Sequence, residues 1–152
     1  MIHPDVPDTR LGIRLEMDTY GWARLHFTFD SVTVTIRLSE VFDPFGTLVA
    51  WGREIDEGDL PIQMEIEEEE GPVAVLTALS TDDPARVLLR IHGHNRVLLG
   101  IMPRAALASA LRAELRRFFT TEFDPWHWDW FGHKSFSTTE RVLNHPWLAA
   151  AK

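Results

Sequence analysis

Between residues 11 and 38, apolar side chains recur at every second position: Ile13, Leu15 and Met17; then Leu25, Phe27 and Phe29; then Val32, Val34, Ile36 and Leu38. Arg14, Glu16, His26, Thr28, Thr33, Thr35 and Arg37 fill the gaps. A period of two sends successive side chains to opposite faces of a strand. Wound into a helix, such a segment would scatter its apolar set around the axis. The chain therefore has to open with sheet: three consecutive antiparallel strands, each with one buried and one wet face. Asp18-Thr19-Tyr20-Gly21 and Asp30-Ser31 supply the turns between them.

The period then changes. Phe45, Leu48, Val49 and Ile55 share one face of a helix. Asp43 is its expected N-cap and Pro44 its first residue, where a missing N–H costs nothing. Gly58 is the expected stop. Gly52 lies on the apolar face and points to close packing on the sheet. Alternation resumes at Ile62, Met64 and Ile66, a fourth strand that runs into four consecutive glutamates and a turn at Gly71-Pro72. Strands are also expected over 73–79, 87–91 and 97–101, the last two joined by a hairpin turn at His92-Gly93-His94-Asn95. From Pro103 a second helix carries Leu107, Leu111, Leu115 and Phe118 as a stripe. Phe119 sits at its edge, and Arg112, Arg116 and Arg117 lie away from it.

The tail contains the stretch FDPWHWDWFGHKS, with Trp126, Trp128 and Trp130 at alternate positions. Asp124-Pro125 repeats the start seen at Asp43-Pro44, and Gly132 supplies a stop, so a helix of about two turns fits between them; an extended segment fits the alternation as well. Ser137-Thr138-Thr139-Glu140 has the pattern of a capping box opening a short helix. His145-Pro146 ends it, and Trp147 and Leu148 pack back as an anchor.

The expected fold is α+β: one largely antiparallel sheet of about seven strands, order βββαββββα, packed by two helices, with a short helical aromatic tail. The length of 152 residues fits a single domain. It divides into an irregular arm over 1–9, a sheet-and-helix core over 10–122 and the Trp-rich tail over 123–152. No apolar run approaches the ~18 residues of a membrane span, and MIHPDVPDTR does not read as a signal peptide. The absence of cysteine removes disulfides, thiol chemistry and zinc-thiolate sites, and a reducing cytoplasm is the expected location.

The net charge is -8, which disfavours nonspecific nucleic-acid binding. Its placement is uneven. Residues 54–70 hold nine acids and no base, whereas 85–117 hold seven arginines against the single acid Glu114. Clustered carboxylates steer a basic partner toward themselves. The expected partner-binding set is therefore Glu54, Asp56, Glu57, Asp59, Glu65, Glu67, Glu68 and Glu69. Trp126, Trp128 and Trp130 join it, because tryptophan buries much area while keeping a polar N–H. The competing reading of these rings is a lid over an open face of the sheet.

Catalysis is weakly supported. The chain has no Gly-x-Ser-x-Gly elbow, no His-Glu-x-x-His helix and no phosphate-binding glycine loop. No catalytic residue is assigned and no cofactor is expected. His127, Asp129 and His133 form the best metal set the sequence offers. In a helix His127 and Asp129 diverge by about 200 degrees, and His92 and His94 straddle a turn glycine, so a native metal site is disfavoured.

The order of strands, the helix in FDPFGTLVAWGREIDEGDLP, the acid-rich strands and the arginine-bearing helix are together similar to small bacterial α+β proteins of the toxin-immunity type. The resemblance spans roughly residues 10–120, rests on layout and acidity, and carries over no functional residue. It implies a rigid acidic surface that occludes the active site of a secreted toxin. The expected function is thus a non-enzymatic acidic protein-binding domain. The alternatives are a small enzyme or ligand-binding domain with a pocket under the Trp-rich tail, and a homo-oligomer, a homodimer in the simplest case, that buries that tail.

Overall fold

The computed structural model describes residues 6–69, 73–94, 96–128 and 138–149. The opening alternation becomes β1 (Leu11–Met17), β2 (Trp22–Phe29) and β3 (Val32–Ser39), paired antiparallel in the order β1-β2-β3. Register follows the apolar pattern: Leu15 pairs with Leu25 and Leu25 with Ile36, and all three are fully buried. A one-residue slip would turn this row to water, so burial holds the register.

The remaining strands are β4 (Ile62–Ile66), β5 (Ala74–Ser80), β6 (Arg86–His92) and β7 (Val97–Pro103). They form a separate antiparallel sheet of order β4-β5-β6-β7, so the expected single seven-stranded sheet is wrong. The reason lies at β3. After Ser39 the chain leaves the sheet through a 3-10 turn (Glu40–Phe42) and helix α1 (Phe45–Glu57). The free edge of β3 then meets side chains from the segment after β4, not the strand itself. Both sheets nonetheless share one continuous core. Helix α2 (Arg104–Thr121) bridges them, packing on β1 from the first sheet and on β6 and β7 from the second, while α1 packs on α2 and β4.

The helix boundaries follow their capping chemistry with one shift. Pro44 occupies the cap position, not the first turn, and the Asp43 carboxylate accepts the Phe45 N–H at 3.1 Å. Gly58 adopts φ 84 as the left-handed stop; its N–H donates to the Ile55 carbonyl and that of Asp59 to Glu54. Gly52 packs against the Trp147 ring and Leu111, and not on the sheet: a Cβ there would lie 2.5 Å from Trp147. The α2 stripe of Leu107, Leu111, Leu115 and Phe118 is fully buried, and Phe119 joins it.

In the tail, Asp124 accepts the Trp126 N–H at 3.0 Å and opens the single turn α3 (Pro125–Trp128). The rest of the expected two-turn helix, with Trp130 and Gly132, lies outside the described residues, as does Ser137 of the capping box. Helix α4 (Thr138–Leu143) follows, and Pro146 opens a further turn, α5 (Pro146–Ala149), that buries Trp147 and Leu148. No helix among the described residues is long and apolar enough to cross a membrane.

Candidate functional site

The acids of residues 54–69 divide into two groups. Three face inward. The Asp56 carboxylate accepts from Arg112 at 2.9 Å and from the Trp147 indole N–H at 3.0 Å, and the Arg112 guanidinium lies 4.7 Å over that same ring. It thereby joins α1, α2 and α5. Glu68 is only 8% exposed, and its Oε1 accepts the Arg37 N–H at 2.8 Å. Glu69, with φ 67, accepts from the Ser39 hydroxyl. These two carboxylates meet the exposed edge of β3, where N–H groups have no strand to bond.

The opposite edge of that sheet is closed in the same manner. Glu114 accepts the Leu15 N–H at 2.7 Å, Glu122 accepts the Met17 N–H at 2.8 Å, and Arg117 donates to the Leu15 carbonyl at 2.6 Å. Arg117 also bridges the two acids, at 2.6 Å to Glu114 and 3.0 Å to Glu122. The hydrogen bond to Glu114, and then that to Glu122, raises the guanidinium pKa further above its ordinary value. Arg117, which helical spacing sets away from the apolar stripe, is thus tied to the edge of β1. The available signal was Glu114 itself, the lone acid among seven arginines and three residues from Arg117.

The second group faces water. Glu54 is half-buried near the end of α1; Glu57 ends that helix and Asp59 follows it. Glu65 on β4 and Glu67 just beyond it are exposed. None of the five has a cationic partner among the described residues. Because α1 packs on β4, they occupy adjoining elements at the β4 edge of the second sheet.

The described part of the aromatic tail is mostly core. Trp128 has no exposed surface and lies 5.2 Å from Phe45 and 6.1 Å from Phe123, ring to ring, in a cluster that also includes Phe118 and Phe119. Trp126, by contrast, is 75% exposed. The His127 ring stacks on Tyr20 at 4.2 Å and its Nε2 reaches the Asp18 carbonyl, while its own carbonyl accepts the Gly21 N–H at 2.9 Å. These contacts fasten the tail to the β1–β2 turn. Trp130, Asp129 and His133 lie outside the described residues, so His127 alone of the metal set is placed. No group of three or more metal-ligating side chains occurs among the described residues.

The wet face of the first sheet carries a network that pattern reading did not single out. The His26 ring spans Thr35 on β3 and Glu16 on β1, at 2.7 Å on each side. Arg24 reaches Glu16 at 3.2 Å and Asp18 at 3.6 Å, and Arg37 lies 4.1 Å over the Trp22 ring. The hydrogen bond from His26, helped by the charge of Arg24, holds the Glu16 carboxyl below its ordinary value. These cross-strand pairs join the three strands of the sheet.

No family model, curated protein or solved structure matches this chain.

Proposed function

We propose that this protein is a non-enzymatic binding domain that presents its outward acids to a basic protein partner. The observation that supports the reading is the contrast within the acidic segment. Asp56, Glu68 and Glu69 are hydrogen-bonded to other elements, whereas Glu54, Glu57, Asp59, Glu65 and Glu67 stand on adjoining elements without a described cation. Like charges held together repel one another and weaken the fold. A partner bearing lysine or arginine relieves that repulsion and is drawn in faster by the same field. The resemblance to toxin-immunity proteins supports a secreted toxin as the partner and occlusion of its active site as the mechanism.

The test is capture from lysate of the source organism on immobilised protein, with partners identified by mass spectrometry. It compares the wild type with a variant carrying Glu57→Lys, Asp59→Lys, Glu65→Lys and Glu67→Lys. The expected result is one stoichiometric basic partner, released by salt and lost in the variant at an unchanged melting midpoint. Capture that survives the reversal overturns the reading.

A further inference from the structure

The second sheet has an uncovered edge along β7. Backbone N–H and C=O groups of a strand point to alternate sides. Gly93 donates to the Arg96 carbonyl, so residue 96 faces β6, and residues 97, 99 and 101 face away from it. At Ile101 that outward edge is closed by the N-terminal arm: the Thr9 N–H donates to the Ile101 carbonyl at 2.7 Å, and the Thr9 hydroxyl accepts the Ile101 N–H at 3.1 Å. At Val97 and Leu99 no described group bonds the outward N–H and C=O. The side chains beside these groups are apolar and open to water, Val97 at 52% and Leu99 at 62% exposure. A groove of about 450 Å³ runs along the edge, between β7 and the β2–β3 turn.

We propose that the occupant of this edge is a second copy of the chain, paired antiparallel through β7 about a two-fold axis at Leu98. In that register Val97 of each copy lies opposite Leu99 of the other. Four outward backbone groups on each copy then satisfy one another in four hydrogen bonds. The arm's bonds to Ile101 remain in place. Val97 packs beside Leu99 of the second copy, giving two apolar cross-strand pairs.

Charge complementarity favours a second copy in this register. Arg96 stands at one end of the groove, and its described contact is a long 3.5 Å reach to the Thr33 carbonyl. Asp30 stands toward the Thr9 end, bonded to the Arg10 N–H but to no cation among the described residues. Two-fold pairing sets Arg96 of each copy opposite Gly100 of the other. Gly100 has no side chain and lies against Phe29, next to Asp30 in the chain. Each copy thus brings its cation to the anionic end of the other. β7 and β4 are opposite edges of the second sheet, so the dimer leaves Glu65 and Glu67 at its two outer ends. The pairing does not depend on whether the acids bind a partner.

Sedimentation velocity from micromolar to sub-millimolar protein tests it. The expected result is conversion from 17.4 kDa to twice that mass as concentration rises. Leu99→Pro removes an outward N–H that the β6–β7 ladder does not use and is expected to weaken association at least about tenfold. Arg96→Glu, which sets like charges against Asp30, is expected to act in the same direction, and more so at low salt. Hydrogen exchange on the unmodified protein covers the case in which a variant misfolds: the Leu99 amide gains protection as the dimer forms. A chain that stays monomeric throughout, or a dimer that leaves the Leu99 amide unprotected, overturns the proposal.

Discussion

Single side chains here stabilise by meeting backbone groups that no strand reaches. Glu114 is buried and receives both the Leu15 N–H and the Arg117 guanidinium. Glu114→Ala leaves the Leu15 N–H without its acceptor and removes one of the two acids that hold Arg117, and is expected to lower stability by about 2–3 kcal/mol in chemical denaturation. Neighbouring glutamates separate the two uses of an acid. Glu68→Gln weakens the acceptor of the Arg37 N–H and is expected to lower the melting midpoint, whereas the exposed Glu67→Gln leaves it unchanged or raises it slightly. Glu16 supplies the pH dependence. Its carboxyl titrates below the ordinary 4.5 in the folded state, so its stabilising contribution is present above that value. The contribution is lost as the pH falls through the lowered folded value. The melting midpoint is expected to drop on the acid side below pH 4.5, and Glu16→Gln is expected to flatten that drop.

At the scale of elements, helix α1 reports its packing through two glycines. Gly46 has nothing within 4 Å of where a Cβ would sit, whereas at Gly52 a Cβ would press on Trp147 and Leu111. Gly46→Ala is therefore expected to stabilise by up to about 1 kcal/mol through reduced backbone entropy. Gly52→Ala is expected to destabilise by about 1–3 kcal/mol through overpacking. Thermal unfolding of the two variants checks both signs. The same contact explains how a C-terminal turn becomes core: Trp147 fills the notch that Gly52 leaves, and its indole N–H is satisfied by Asp56. Trp147 keeps its indole N–H bonded as it packs inward, because α1 supplies the acceptor.

For the whole molecule, the net charge of -8 matters less than where it stands. The seven arginines of 85–117 include Arg86, tied to the arm at Asp8, Arg112, tied to Asp56, and Arg117, tied to Glu114 and Glu122. Three of the seven arginines are thus tied to acids within the molecule, while the five outward acids have no cationic partner among the described residues. Neutralising Glu57, Asp59, Glu65 and Glu67 to their amides is expected to raise the melting midpoint at low salt. The gain should shrink near about 1 M salt, where charges are screened beyond a few ångströms. A gain that persists in high salt would count against repulsion as its cause.

Elements were legible in the sequence because each is specified locally. Alternation at Leu25, Phe27 and Phe29 allows only a strand, and a left-handed stop at Gly58 needs nothing beyond its own backbone. The burial of Trp128 was legible only as one of two readings, since exposure depends on Phe45, far away in the chain. The division into two sheets was not legible at all, because a period of two states which face is buried and not which strand lies alongside. Nor was the partition of the acids. Glu67, Glu68 and Glu69 are alike as residue types, and what separates them is that Arg37 and Ser39 on β3 come within hydrogen-bonding reach of the last two. Local stereochemistry and side-chain period determined the strands, the helices and their ends; long-range approach of backbone edges to carboxylates decided the sheet order and which acids remain outside.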